Sequence, residues 1–215
     1  MKINYQKKME EIIEQVSAGD RMPTLLLHSC CAPCSSYVLE CLSKHFKITI
    51  FYYNPNIEPI AEYQKRAAEQ KRFLSAFQSS TPIEFIEGPY DEDAFQIISS
   101  GREEEKEGGA RCFLCYELRL RKTAEFAKSN GFDYFTTTLS VSPYKNAQAL
   151  NEIGARLSEE YNIPYLFSDF KKKNGYHRSI ELSKQYQLYR QNFCGCIYSQ
   201  KISEQTDDLS RQVES

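Results

Sequence analysis

The chain has 215 residues, 26% of them charged and 41% apolar, with a formal net charge of −2. That length carries one sizeable core, the balance is that of a globular protein rather than a disordered one, and no run approaches the ~20 apolar residues of a membrane span. A near-neutral charge gives no global pull on nucleic acid, so an RNA partner would need a local basic patch.

Residues 1–22 read as a helix and its exit, with Ile12, Ile13 and Val16 as a partial apolar stripe. This stretch lacks the apolar core of a secretory signal, which predicts a cytoplasmic protein with no membrane partner. After Pro23, Thr24 to His28 form a short apolar run that predicts a buried strand. Ser29 to Ser36 read as a tight loop of small residues, with a helix from about Ser35 to Lys44. Lys47 to Tyr53, β-branched and aromatic, predict a second strand that Asn54-Pro55-Asn56 ends. Ile60, Tyr63, Ala67, Leu74 and Phe77 share a helical face. Ile83 to Glu87 suggest a third strand, and Tyr90 to Ser100 a helix. The charged, glycine-punctuated stretch 101–109 reads as a mobile surface loop. A helix from about Cys115 to Ser129 should stop at Asn130-Gly131. Asp133 to Thr138 predict a fourth strand, Ala147 to Tyr161 a helix, Tyr165 to Phe167 a last short strand, and Ser179 to Gln191 a helix leading to Phe193-Cys-Gly-Cys196.

Strands alternating with helices predict an α/β fold, a mainly parallel sheet with helices on both faces. Residues 1–200 are expected to form one domain and 201–215 a polar tail. In such sheets sites form beyond the carboxyl ends of the strands. Cys30 and Cys31 follow the first strand directly, and Thr136 to Ser140 end the fourth.

Eight cysteines are many for a cytoplasmic chain, and clustering there points to metal binding or redox work rather than structural disulfides. Seven fall in three motifs: Cys30, Cys31 and Cys34; Cys112 and Cys115; Cys194 and Cys196. Cys41 stands alone. Soft thiolates suit iron–sulfur clusters and zinc. Adjacent cysteines on a strand would point to opposite faces, but on a loop they can reach two irons of one cluster or two neighbouring sites. The CxxC pair has the commonest short metal-binding spacing, which is also a dithiol redox spacing. The CxC pair can give two metal ligands or a strained, easily reduced disulfide. Seven thiols exceed the four that one structural zinc needs. They match a four-iron cluster plus a separate dithiol, or a cluster plus a second metal ion. His28 beside them reads either as a partner to sulfur or as a satisfied core histidine.

Basic side chains make two candidate phosphate contacts. Lys171, Lys172 and Lys173, followed by Tyr176, His177 and Arg178, form the best basic-aromatic patch. Arg119 and Arg121, beyond the CxxC motif, read either as a substrate-binding face or as a solvated helix surface.

Five segments together resemble the cobalamin-independent epoxyqueuosine reductases. They are His28-Ser-Cys-Cys-Ala-Pro-Cys34, Phe-Tyr-Tyr-Asn-Pro-Asn56, Arg-Cys-Phe-Leu-Cys-Tyr116, Thr-Thr-Leu-Ser-Val-Ser-Pro143 and Phe-Cys-Gly-Cys196. The resemblance runs from about residue 5 to residue 200. It implies a fold like that of the PP-loop nucleotide-binding enzymes, and reduction of epoxyqueuosine to queuosine at the wobble position of a tRNA. It also implies an electron donor as partner and a [4Fe–4S] cluster on Cys30, Cys31, Cys112 and Cys115. Cys194 and Cys196 then match a redox-active pair or the ligands of a second metal, iron or zinc. Some members carry Asp at the position of Cys34, which leaves its role as a further metal ligand open.

Two other readings share parts of this pattern. An adenine-nucleotide-dependent tRNA-modifying enzyme of the PP-loop type needs a glycine-rich loop after its first strand to cradle phosphate, and that loop here has no glycine. A zinc-binding RNA module would be colourless where a cluster protein is brown.

Overall fold

The computed structural model describes residues 3–200, so the predicted tail at 201–215 lies outside the described residues. The element order is α1 (Tyr5–Ser17), β1 (Thr24–His28), α2 (Ala32–Leu42), β2 (Lys47–Tyr52), α3 (Ile60–Ala76), β3 (Glu84–Glu87), α4 (Glu92–Ser99), α5 (Ala110–Ser129), β4 (Tyr134–Thr137), α6 (Ala147–Tyr161) and α7 (Gly175–Gln185). A 3-10 turn, Thr138–Val141, follows β4. The strands pair in parallel in the order β3-β2-β1-β4, as alternating strands and helices predict. Chain direction across the sheet reverses between β1 and β4, and the crevice above that point is where this architecture holds ligands.

Alternation along the strands divides the core in two. Leu25, Leu27, Ile48 and Ile50 pack with Met9 of α1, Val38 and Leu39 of α2, and Phe73 of α3. Leu26, Phe51 and Phe135 face the other way, against Leu120 and Ala124 of α5 and Leu150 and Leu157 of α6. Full burial of each such leucine or phenylalanine contributes roughly 1.5–3 kcal/mol. At the far end of the sheet Asp133 accepts from Arg21 at 2.6 and 2.8 Å and from the Thr24 N–H at 2.8 Å, fixing the start of β1 beside the start of β4.

Four local expectations are corrected. α2 starts at Ala32, three residues earlier than predicted: Cys31 is an extended N-cap and Pro33 sits in the first turn, where its missing N–H costs nothing. α5 starts at Ala110, so both CxxC cysteines are helical. The predicted last strand is reduced to one bridge between Phe135 and Tyr165, because Asn151 of α6 captures the next backbone: its Oδ1 accepts from the Ser168 N–H at 2.9 Å and its Nδ2 donates to the Ser168 carbonyl at 2.8 Å. α7 spans Gly175–Gln185 rather than Ser179 to Gln191. It ends in a Schellman motif: Gln187 is left-handed, and the Leu188 N–H bonds to the Ser183 carbonyl at 2.8 Å. An irregular segment, 186–196, therefore delivers the CxC pair.

Candidate metal centre

The first group of thiols grows from the end of β1. The Ser29 N–H still bonds to the Phe51 carbonyl at 3.0 Å; Cys30 then leaves the sheet, Cys31 caps α2, and Cys34 lies in the first turn of that helix. The three sulfurs lie within 4.8 Å of one another, with Cys30 and Cys31 3.8 Å apart. The second group is built from two directions. Cys112 and Cys115 lie on one side of the first turns of α5, and the Gly108 N–H donates to Cys112 Sγ at 3.3 Å. Cys194 and Cys196 arrive on the segment after α7 and line the same small cavity as the α5 pair. Gly195 makes that approach: its φ is +113°, and a Cβ there would stand 2.9 Å from Arg66 Nη1. Arg66 donates to the Cys194 carbonyl at 3.1 Å, and the Glu58 N–H to the Gly195 carbonyl at 2.9 Å. All eight cysteines are free thiols, and Cys41 packs on the core away from both groups.

Positive charge is built into the same space. Arg119 is 2% exposed and lines the cavity of the second group. Burial opposes its charge, but Cys115, Cys194 and Cys30 outweigh that and raise its pKa. Arg66, 1% exposed, is likewise opposed by burial and supported by Cys31 and Glu62. The buried Lys145 donates to Cys194 Sγ at 3.1 Å and to Glu107 at 2.9 Å; burial works against its ammonium, yet Cys194, Tyr116 and Glu107 hold its pKa up. The Cys194 thiol is held well below the ordinary range, since Cys196 donates to it and Lys145 and Arg119 stand beside it, against the opposing effect of burial. Cys31 is favoured over its neighbours: burial opposes ionisation, but Cys30 and Cys34 donate to it and Arg66 faces it. His28 is a satisfied core histidine. It is fully buried, 2.9 Å from Thr137 Oγ1 and 3.1 Å from the Tyr53 carbonyl.

A cavity of about 600 Å³ opens beside the thiols, at the switch point of the sheet. Cys30 and Cys34 form one wall; Leu139, Ser142, Tyr144 and Lys145 from beyond β4 form another, and Arg190 to Cys194 a third. Arg119, Lys145 and Cys194 line both this cavity and the small one between the α5 and CxC pairs.

The sequence profile of the family described as Epoxyqueuosine reductase QueH matches residues 25–202. The chain belongs to that family. Curated QueH relatives include those of Staphylococcus epidermidis, 45% identical with 92% of this chain and 85% of the relative covered, and Streptococcus pyogenes serotype M1, 43% identical over 94% and 80%. The Thermotoga maritima relative is 34% identical over 83% and 91%. The fold resembles a solved U34-tRNA thiolase, NcsA from Methanococcus maripaludis with its [4Fe-4S] cluster: TM-score 0.52, 13% identity, covering 96% of this chain and 73% of that one.

Set against the QueH motifs, the sequence-predicted residues separate. The seven motif cysteines come together in two adjoining groups, with Cys34 beside Cys30 and Cys31. Their donor chemistry fits a thiolate-bound metal centre: soft sulfur, with buried cations opposite. Arg119 and Arg121 do not form one exposed face, which is a correction: Arg119 is interior, while Arg121 pairs at the surface with Glu117 and Glu160. In the lysine patch Lys171 pairs with Asp169, Lys173 with Glu10, and Arg178 with Glu40 and Glu181. Lys172 is exposed, and Tyr176 and Ser179 of α7 carry the patch to the cavity wall. Sequence reasoning missed Arg66 and Lys145. Arg66 is one cation among several in a helix, and only the fold turns it inward. Lys145 had a faint signal, its place just beyond the carboxyl end of a strand. Among the described residues no helix is long and apolar enough to cross a membrane.

Proposed function

We propose that this chain is a cytoplasmic epoxyqueuosine reductase, acting on epoxyqueuosine at the wobble position of tRNA with a [4Fe–4S] cluster on Cys30, Cys31, Cys112 and Cys115. One observation carries the reading: in a chain of the QueH family, seven thiols from three distant motifs gather in two groups, and Cys30, Cys34 and Cys194 line a nucleoside-sized cavity. The reaction breaks both C–O bonds of the epoxide and forms a C=C bond, taking two electrons and two protons and releasing water. The cluster would supply electrons one at a time from an external donor.

The chain's own groups have the remaining work. The cavity takes in the modified base, and Lys145 Nζ in its wall holds a proton that it can give to the oxygen as it leaves. Cys194 and Cys196 lie close enough to the other thiols to serve as a two-electron store, closing to a disulfide, or as ligands of a second metal, iron or zinc, with Cys34 available to it. Lys172, with Arg190 at the cavity mouth, is placed to meet the phosphate backbone.

Anaerobic purification with iron and sulfide analysis, followed by turnover of epoxyqueuosine tRNA, tests the reading. The wild type should be brown and active; Cys30→Ala and Cys112→Ala should lose iron and turnover together, while Cys41→Ala keeps both. Full iron in Cys112→Ala with loss in Cys34→Ala would move the ligand set to the Cys30, Cys31 and Cys34 triad. A colourless, zinc-only protein would end the proposal.

A further inference from the structure

Two guanidinium groups are sealed inside this protein: Arg119 has no bonded carboxylate, and Arg66, paired with Glu62, still has an unpartnered Nη2. Arg66 of α3 donates from Nε to Glu62 at 2.7 Å and from Nη1 to the Cys194 carbonyl at 3.1 Å, while its Nη2 is buried with no hydrogen-bond partner. Arg119 of α5 donates from Nε to the Cys115 carbonyl at 3.1 Å. The groups beside it that can carry negative charge are the sulfurs of Cys115, Cys194 and Cys30, and no carboxylate is bonded to it. A buried cation without a counter-charge is strongly unfavourable. Arginine cannot relieve that by losing its proton, because it stays charged at any accessible pH. The missing negative charge must therefore come from the thiol centre itself.

We propose that Arg66 and Arg119 are the built-in counter-cations of the metal centre, and that Arg119, standing between the Cys30 group and the Cys115–Cys194 group, sets its reduction potential. The inference rests on the reading that the cysteines hold a [4Fe–4S] cluster. Such a core with four thiolates is an anion, and each reducing electron makes it one charge more negative; net charge nearby is among the factors that fix its potential. A fixed cation in a low-dielectric interior stabilises the reduced form more than the oxidised one, so both arginines raise the potential and make the centre easier to charge. Lys145 and Arg66 carry this role more weakly than Arg119, since Glu107 and Glu62 offset part of their charge. The two arginines act on the substrate only through the centre, which makes them positioning residues rather than catalytic ones.

The test is an EPR-monitored redox titration of the reconstituted holoprotein in the wild type, Arg119→Met, Arg119→Lys and Arg66→Met. Arg119→Met should lower the midpoint potential by at least a tenfold change in the one-electron equilibrium constant, about 59 mV. Arg66→Met should move it the same way, and Arg119→Lys should shift it far less. Lys122→Met, an exposed change on the same helix, should leave it in place. Full iron in Arg119→Met with an unchanged midpoint would overturn the proposal. If Arg119→Met takes up no cluster, Arg119→Lys decides: full loading supports the charge, whereas equal loss in both assigns Arg119 to packing alone. A wild type without iron and sulfide would instead overturn the cluster reading beneath it.

Discussion

Burial pushes the His28 imidazole down to about 4, with Arg119 adding to the effect, so the ring is neutral at pH 7. With Nε2–H donating to the Tyr53 carbonyl, Nδ1 accepts from the Thr137 hydroxyl, which itself accepts from the Leu139 N–H at 3.1 Å. The unfolded ring takes up a proton below about 6.5, whereas the folded one does so only near 4. The stabilisation is thus fully present above about 6.5 and is lost as pH falls to about 4. At pH 5 the loss amounts to about 2 kcal/mol. Urea unfolding at pH 7 and pH 5 checks this: the drop in stability should be about 2 kcal/mol smaller in His28→Gln than in the wild type. Equal drops would mean that His28 does not titrate between those values. From sequence alone His28 could have been a partner to sulfur; what decides against it is two hydrogen bonds that only the strand pairing supplies.

At the scale of elements, the packing of α6 depends on one absent side chain. A Cβ on Gly154 would lie 2.4 Å from the ring of Tyr165, which is buried against Phe135 at a centroid distance of 5.0 Å and has no room to withdraw. Alanine at this helix position gains about 1 kcal/mol in propensity, but forcing a methyl into a full core costs about 1–3 kcal/mol. A 2.4 Å approach puts the cost at the upper end of that range, so Gly154→Ala should lower the unfolding free energy by about 2 kcal/mol; a variant as stable as the wild type would show that the ring can move. The same region marks where periodicity runs out as a guide. β1 and α6 are legible to the residue, because an unbroken apolar run and a capped apolar stripe are local signals. α2 and α5 start earlier than their local pattern predicts, since cysteines give no helical signal and Pro33 reads as a loop former until its first-turn place is known. The strand expected at Tyr165 is lost to Asn151, a competitor on another helix.

Across the whole molecule, the thiols and the cavity occupy the crevice where the strand order of the parallel sheet reverses. Their gathering there was partly legible: loops after β1 and β4 belong to that edge in any parallel sheet. The delivery of Cys194 and Cys196 was not, because the segment that carries them has no regular structure and is held by Arg66, Gly195 and the Glu58 N–H. Nor could sequence separate Arg119 from Arg121. Two residues apart on a helix they face different ways, and which one turns inward depends on what packs against α5. With most of the lysine patch already paired to carboxylates, tRNA affinity should rest on Lys172 and on Arg190 at the cavity mouth. Charge reversal of both should weaken tRNA binding at least tenfold and flatten its salt dependence by about two released counterions, with iron content unchanged. Filter-binding across a salt series measures this, and an unaltered slope would place the RNA elsewhere.

The thiols come from residues 30–34, 112–115 and 194–196, and this spacing along the chain has a consequence for assembly. A centre that draws on all three stretches would join the end of the first strand, the middle of the chain and its last described turn, closing two long loops at one point. Loop closure of that size is costly in the unfolded chain but grows only slowly with length, so binding the centre would also be binding the fold together. Ribosomal synthesis releases Cys194 and Cys196 last. Until then Cys30, Cys31, Cys112 and Cys115 would face a cavity lacking one wall, and a cluster inserted that early would lie open to solvent and oxidant.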